Sequence, residues 1–167
     1  TTFADGVSTA TSATITGLTN GTAYDVRVAA TNAAGTGLSS ATATRTPSTV
    51  PGAPTAVSLT AGTGQLTASW TAPASTGGAA ITDYAVEYRT SPSGTWTVFP
   101  DGTSTATTAS ITGLTNGTAY DVRISAVNAN GVSSASSSAT GTPVLTAPGA
   151  PTGTLGSPLT VSVLAGS

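Results

Sequence analysis

The sequence predicts an all-β protein built from two-sheet β-sandwiches in tandem, and three observations support this prediction. The block from Ile15 to Arg27 recurs letter for letter as Ile111 to Arg123. Segments between Gly, Pro and Asn-Gly turns alternate apolar and polar residues, which is the pattern of half-buried strands. No segment of useful length carries apolar residues at helical spacing. The chain is therefore an array of one strand-rich module.

The repeat extends beyond that block and sets the boundaries of the modules. Residues 1–47 align without gaps on residues 97–143, and about two thirds of the aligned positions are identical. Such self-similarity at a fixed period is the sequence signature of an array. We therefore expect a window on a longer protein, divided into the back part of one module (1–47), a linker (48–50), a complete module (51–143), a linker (144–147) and the front of a third module (148–167).

Both linkers are bordered by proline. Pro47 and Pro51 border the first, and Pro143 and Pro148 border the second. Proline restricts φ and favours extended backbone, so such short connections act as stiff spacers. This composition predicts a rod of modules, with a plain surface loop of no mechanical role as the alternative.

Within the complete module, alternation predicts each strand in turn. A first strand follows the opening prolines, and a second places Leu66, Ala68 and Trp70 on one side. Five more are predicted in chain order: Asp83 to Arg89, Trp96 to Phe99, Ala109 to Ile111, Tyr120 to Val127 and Ser133 to Thr142. The last of these is polar and has almost no apolar side. Seven short strands between turn signals indicate a sandwich of two antiparallel sheets.

Four features of the module occur together in one known family. They are Pro51-Gly52-Ala53-Pro54 at the first strand, Trp70 at the end of the second, the run from Ile81 to Arg89, and the run from Gly113 to Ile124 followed by Asn128 and Gly131. Together they resemble a fibronectin type III domain, and the likeness covers the whole chain as partial, complete and partial copies. The resemblance implies tandem immunoglobulin-like β-sandwiches of the fibronectin type III type.

The resemblance also assigns structural roles to individual residues. It implies that Trp70 and Tyr84 lie in the core, and that Leu114 and Tyr120 form the corner where the chain passes between sheets. A corner tyrosine can bury its ring while its hydroxyl bonds to nearby backbone. The expected core residues, including the counterparts in the first copy, are Trp70, Tyr84, Ile111, Leu114, Tyr120, Tyr24 and Leu18.

Composition excludes several classes of function. The chain has 167 residues, a net charge of −2 and 6% charged residues, against about 25% in a typical soluble domain. This charge is too small and too scattered to attract nucleic acid or an anionic membrane. No apolar run approaches the ~18 residues that could span a bilayer. We therefore expect neither a nucleic-acid partner nor membrane insertion of this segment.

The sequence offers no catalytic or cofactor chemistry. It has no Cys and no His, which removes thiolate nucleophiles, the commonest general base and the commonest metal ligand. Asp83 and Glu87 lie four residues apart on one predicted strand, about 13 Å along it, so they are expected to be solvated rather than a catalytic pair. Asp121 and Arg123 share the outward face of one predicted strand, as Glu87 and Arg89 do on another, so the two sets suit cross-strand ion pairs, which are worth at most ~1 kcal/mol when exposed. We expect no catalytic, cofactor-binding or metal-binding residue, and no enzyme.

Three surface features have alternative interpretations. Asn20-Gly21-Thr22 and Asn116-Gly117-Thr118 match the glycosylation pattern, but Asn-Gly is also a favoured tight turn, which we prefer. Trp96 and Phe99 are interpreted as closing the core edge, with a sugar-stacking platform as the alternative. The loop with Asn128, Asn130 and Gly131 stands where fibronectin carries Arg-Gly-Asp, a tripeptide that does not occur in this sequence. We keep that loop as a weak candidate for contact with a partner.

These observations predict a non-catalytic structural or adhesive segment of a long extracellular or cell-surface protein, of bacterial type, such as a stalk, fibre or filament. Expected partners are other copies of the chain or neighbouring modules, with a polysaccharide or a cell-surface protein as further candidates. The charge-poor strand from Ser133 to Thr142 favours self-association, because charged residues normally protect sheet edges. The alternatives are accessory modules of a secreted bacterial polysaccharide-degrading enzyme, or a phage tail or fibre protein.

Overall fold

A computed structural model describes Phe3 and residues 6–145. The predicted third module (148–167) lies outside the described residues. Within them no helix is long and apolar enough to cross a membrane. Their strands are β1 (Tyr24–Val26), β2 (Thr31–Asn32), β3 (Gly35–Thr36), β4 (Ala43–Arg45), β5 (Thr55–Gly62), β6 (Gln65–Thr71), β7 (Ile81–Thr90), β8 (Thr97–Val98), β9 (Thr108–Thr112), β10 (Tyr120–Asn128), β11 (Gly131–Val132) and β12 (Ala139–Gly141).

The complete module is a sandwich of two antiparallel sheets, which confirms the all-β prediction. One sheet has the order β5-β6-β9, and the other has the order β11-β10-β7-β8 with β12 also paired to β10. The longest ladder joins β7 to β10 and places Tyr88 opposite Val122 and Arg89 opposite Asp121. Because side chains alternate along each strand, this register separates an apolar inner face from a charged outer face.

The core lies between the two sheets. On β6, Leu66 and Ala68 are fully buried, and Trp70 meets Tyr84 of β7 edge to face with 5.3 Å between ring centroids. Burying a large apolar side chain is worth about 1.5–3 kcal/mol. The buried apolar cluster comprises Leu66, Ala68, Trp70, Tyr84, Val86, Ile111, Leu114, Tyr120, Val122, Ile124 and Ala126.

The verbatim repeat folds into a corner after β9. The Tyr120 hydroxyl accepts a hydrogen bond from the Thr115 backbone N–H at 3.2 Å, and the Tyr24 hydroxyl does the same for Thr19 at 3.0 Å. The Asn116 Oδ1 accepts the Gly64 N–H at 2.8 Å. The asparagine of this Asn-Gly pair therefore ties the corner to the β5–β6 hairpin.

Among the described residues, the first copy lacks the enclosed core that the complete module has. Tyr24 and Leu18 were expected in a core, but both are only half-buried. Val28 is 73% exposed, whereas its counterpart Ile124 is fully buried. The difference arises because, among the described residues, no strands equivalent to β5–β7 pack on residues 6–47.

The last predicted strand, Ser133 to Thr142, is interrupted. Within it, only β12 (Ala139–Gly141) pairs with β10 through a regular ladder, while β11 pairs with β10 just before it. Between them, the Ser133 Oγ accepts the Ala126 N–H at 2.9 Å and the Ser136 Oγ accepts the Ile124 N–H at 3.0 Å. Serine hydroxyls thus replace backbone carbonyls as acceptors, which breaks the regular sheet edge that the sequence suggested.

Candidate functional site: the junction between modules

Two loops at one end of the complete module enclose the linker that enters it. We call them together the loop end: residues 75–78, between β6 and β7, and residues 128–131, at the turn from β10 to β11. The enclosed linker is Ser48, Thr49 and Val50. The sequence-predicted contact loop therefore faces the preceding part of the same chain.

Asn128 joins the linker to both loops. Its side chain is 4% exposed, and its Nδ2 donates to the Thr49 carbonyl and to the Thr76 carbonyl, each at 2.8 Å. Its Oδ1 accepts the Asn130 backbone N–H at 2.8 Å. Burial of an amide is costly unless its polar atoms are paired. Here both amide hydrogens and the oxygen are paired, so the side chain is held in one orientation.

Thr49 is bound through both of its backbone polar groups. Its N–H donates to the Gly77 carbonyl at 2.8 Å. Its carbonyl accepts the Asn128 bond and a second one from the Asn130 Nδ2 at 3.2 Å. The Ser48 hydroxyl donates to the Asn130 Oδ1 at 3.3 Å. Backbone groups bound in this way cannot rotate freely, so the linker is fixed relative to the loop end.

Two consecutive glycines let backbone meet backbone at this junction. Gly77 and Gly78 have φ of 72° and 84°, a region that non-glycine residues seldom adopt. A Cβ on Gly77 would lie 2.3 Å from the Thr49 carbonyl oxygen, and one on Gly78 would lie 2.3 Å from the Gly21 nitrogen. Neither position has room for a larger residue while the modules keep this arrangement.

The surface that meets Gly78 belongs to the Asn-Gly turn of the first copy. The Gly21 N–H donates to the Pro47 carbonyl at 2.9 Å, so this turn is tied to the end of its own module. The Gly117 N–H makes the same bond to Pro143, also at 2.9 Å. The turn and the residue that precedes the linker therefore form a unit that recurs in both copies.

The outer face of the larger sheet carries a second polar cluster. Arg89 pairs with Asp121 at 3.1 Å, and Arg123 pairs with Glu87 at 2.8 Å. Both guanidinium groups lie over the ring of Trp96, with Cζ to centroid distances of 4.6 Å for Arg89 and 4.1 Å for Arg123. Cation–π contacts of this length are stabilising. The four charged side chains of this cluster are therefore paired with one another within the sheet.

The second aromatic of the suggested sugar-stacking platform lies elsewhere. Phe99 packs against the core cluster and meets Tyr88 edge to face, with 6.4 Å between centroids. Trp96 instead stacks with arginines on the outer face. The two aromatics therefore do not form one exposed platform.

Two further acids of the complete module, Asp83 and Asp101, lie close to each other. The Asp83 Oδ1 accepts the N–H groups of Tyr84 and Ser104, each at 2.9 Å. Burial raises the pKa of Asp101, and the nearby charge of Asp83 contributes to this shift. Within Phe3 and residues 6–145 there is no group of three or more acidic side chains that could hold a metal ion.

The fibronectin type III domain family matches residues 4–46 and 52–142. The chain belongs to this family. Chitinase A1 of Niallia circulans is 41% identical to the chain over 141 residues, which is 78% of the chain and 19% of that protein. The chain thus spans about a fifth of the length of this curated relative.

Solved structures show the same fold. Domains of titin superpose with a TM-score of 0.55 at 27% identity, covering 61% of this chain and 36% of that one. The twitchin kinase region of C. elegans gives a TM-score of 0.53 at 29% identity, covering 57% of this chain and 17% of that one. Tandem fibronectin type III sandwiches are therefore the architecture of this chain.

The structure brings together some of the residues that the sequence suggested and adds others. Asn128, Asn130 and Gly131 lie at the junction, where a Cβ on Gly131 would be 3.4 Å from a Val50 methyl group. Sequence reasoning did not select Gly77 and Gly78. The available signal was a pair of adjacent glycines in a loop of a module whose neighbour is attached by a short, stiff linker.

Proposed function

We propose that this chain is a non-catalytic segment of a secreted, multi-module protein and acts there as a set of accessory spacer modules. The observation that carries the proposal is the state of the charged side chains in the complete module. Arg89, Asp121, Arg123 and Glu87 are paired with one another, and the Asp83 carboxylate is bound by backbone N–H groups. A surface whose charges are engaged in this way suits holding and spacing rather than chemistry.

The similarity to a chitinase supports a more specific form of this proposal. The longer protein is then a polysaccharide-degrading enzyme that acts outside the cell, and this segment separates its catalytic domain from another domain. The match to a limited part of the chitinase agrees with an accessory role. A catalytic domain in the same open reading frame is the first result expected.

The test compares the full-length protein with a variant in which residues 1–145 are replaced by a flexible Gly-Ser linker. We expect an unchanged kcat/KM on a soluble oligosaccharide, because the segment takes no part in bond cleavage. We expect a lower rate on the insoluble polymer, where the spacing of domains matters. A lower rate on the soluble substrate would contradict the non-catalytic assignment, and equal rates on the insoluble polymer would contradict the spacer role.

A stalk or fibre of many copies is the second candidate. It is favoured by the similarity of the two copies, which share the block from Ile15 to Arg27 letter for letter. A reading frame with many further copies and no catalytic domain would support it. Sedimentation of the chain over a range of concentrations tests the associated proposal of self-association, because a concentration-independent monomer would contradict it.

A further inference from the structure

We infer that the loop end of each complete module is a docking site for the tail of the preceding module, and that this contact fixes the angle between the two. The inference rests on the proposed spacer function and specifies its partner: the linker with the Asn-Gly turn of the neighbouring module. The contacts that support it are those at Thr49.

The contact between the linker and the loop end involves three separate segments of chain. Asn128 bridges the carbonyls of Thr49 in the linker and Thr76 in the loop between β6 and β7. Thr49 is also held from its other side by the Gly77 carbonyl. Rotation of the linker would break several hydrogen bonds at once and leave one amide hydrogen of the buried Asn128 side chain without its acceptor, which is costly. The bound arrangement is therefore strongly preferred.

The turn that orients the Asn128 side chain forms without a docked linker. In the first copy, the Asn32 Oδ1 accepts the Ala34 N–H at 2.9 Å, which is the same turn that Asn128 makes with Asn130. There the described residues include no linker for Asn32 to bind. The turn thus does not depend on the linker, so little ordering is needed when a tail docks.

The loop end and the Asn-Gly turn of the first copy also fit each other sterically. Gly78 approaches the Asn20-Gly21 turn so closely that an added Cβ would lie 2.3 Å from the Gly21 nitrogen and 2.8 Å from the Asn20 carbonyl carbon. Contact at this distance permits one relative position of the two backbones.

The test uses the full chain, which has no native cysteine. Cysteines replacing the exposed Ala33 and Ser93 carry spin labels, and pulsed electron spin resonance measures the distance distribution between the first copy and the complete module. We expect one narrow distribution for the parent chain. We expect Gly78→Ala to shift or broaden it, because the new methyl group displaces the Asn-Gly turn.

Gly113→Ala is the matched control. Gly113 has a φ of 77°, close to that of Gly78, but no atom lies within 4 Å of a Cβ placed there. The backbone strain of the two substitutions is therefore similar, and only Gly78→Ala disturbs the junction. Identical distributions for the two variants, or a broad distribution in the parent chain, would overturn the inference.

A second measurement reports on the linker itself. Hydrogen exchange of the Thr49 amide is expected to be slow in the parent chain and at least about tenfold faster in Asn130→Ala, which removes one bond to the Thr49 carbonyl and the partner of Ser48. Asn130 is exposed, so this variant is expected to fold. Unchanged exchange at Thr49 in both Asn130→Ala and Gly78→Ala would also overturn the inference.

The two proposals fail in distinguishable ways. A flexible junction would reject the docking site while leaving the segment a non-catalytic spacer. A loss of activity on the soluble substrate would reject the proposed function without affecting the distances between the labels.

Discussion

Arg89 and Asp121 face each other across β7 and β10, with the guanidinium 3.1 Å from the carboxylate. The two residues are direct partners in the ladder. The Thr140 hydroxyl donates to the other carboxylate oxygen at 2.7 Å. Asp121 is buried although it lies on the outer face, because strands and side chains surround it. This pair is therefore less exposed than the sequence suggested.

The first prediction concerns acid stability. The hydrogen bond from Thr140, then that from Ser91, and the charge of Arg89 lower the pKa of Asp121 below its ordinary value of 3.8. A carboxyl whose pKa is lower in the folded state stabilises the fold above its unfolded pKa, and this contribution is lost as the pH falls through the folded pKa. Asp121→Asn is expected to cost about 1–3 kcal/mol at pH 7 and much less at pH 2.

Urea unfolding of the full chain at the two pH values measures this effect. Asp25→Asn is the control, because Asp25 occupies the equivalent position in the first copy and is exposed. We expect that variant to unfold at nearly the parent urea concentration. A pH-independent cost of Asp121→Asn would contradict the linkage.

The second prediction concerns the corner. Tyr120→Phe removes the hydroxyl that binds the Thr115 N–H and is expected to cost about 1 kcal/mol. Tyr120→Ala also empties the space of the ring and is expected to cost about 3–5 kcal/mol. Thermal unfolding measures both values. An unchanged midpoint in Tyr120→Ala would show that this corner does not hold the sheets together.

The fold could be predicted from the sequence because its signals are local and repeated. Alternation placed Leu66 and Trp70 on one face, and the family resemblance assigned the corner to Tyr120. The same reasoning could not distinguish a regular polar strand from a segment in which the hydroxyls of Ser133 and Ser136 accept the hydrogen bonds of β10. Both have the same composition, and the difference lies in whether a hydroxyl or a carbonyl accepts the bond.

The junction could be predicted only in part. Asn128 was selected through family resemblance, but its partner Thr49 lies far away in the sequence. No local pattern connects the two residues. Gly77 and Gly78 were missed for the same reason, because part of the need for glycine there arises from contact with a distant segment of the chain, in addition to the positive φ of the loop itself.

The third prediction concerns the buried indole of Trp70. Its Nε1 is buried and has no hydrogen-bond partner among the described residues. Trp70→Phe leaves part of the indole space empty but keeps an aromatic ring against Tyr84 and removes this unpaired donor, so it is expected to cost only about 1–2 kcal/mol. Trp70→Ala is expected to cost about 3–5 kcal/mol, as other large-to-small core substitutions do. Guanidinium unfolding followed by circular dichroism measures both. Equal costs for the two variants would contradict this account.

The fourth prediction is a stabilising substitution at Ala56. Ala56 has a φ of 52°, a left-handed conformation that costs a residue with a Cβ roughly 1–2 kcal/mol. It lies where the β5–β6 register shifts between Thr55 and Ser58, so the conformation belongs to a bulge. The equivalent position in the third copy of the sequence is Gly153.

Ala56→Gly removes the steric cost but adds backbone entropy to the unfolded chain. The net result expected is a stabilisation of about 0.5–1 kcal/mol, measured as a higher midpoint of thermal unfolding. Ala61→Gly is the matched control, because Ala61 is an exposed residue of the same strand with no positive φ. There glycine brings the entropy cost without relief of strain, so that variant is expected to be less stable than the parent. If Ala56→Gly is destabilised as much as Ala61→Gly, the bulge at Ala56 is not strained, and the glycine of the third copy has another cause.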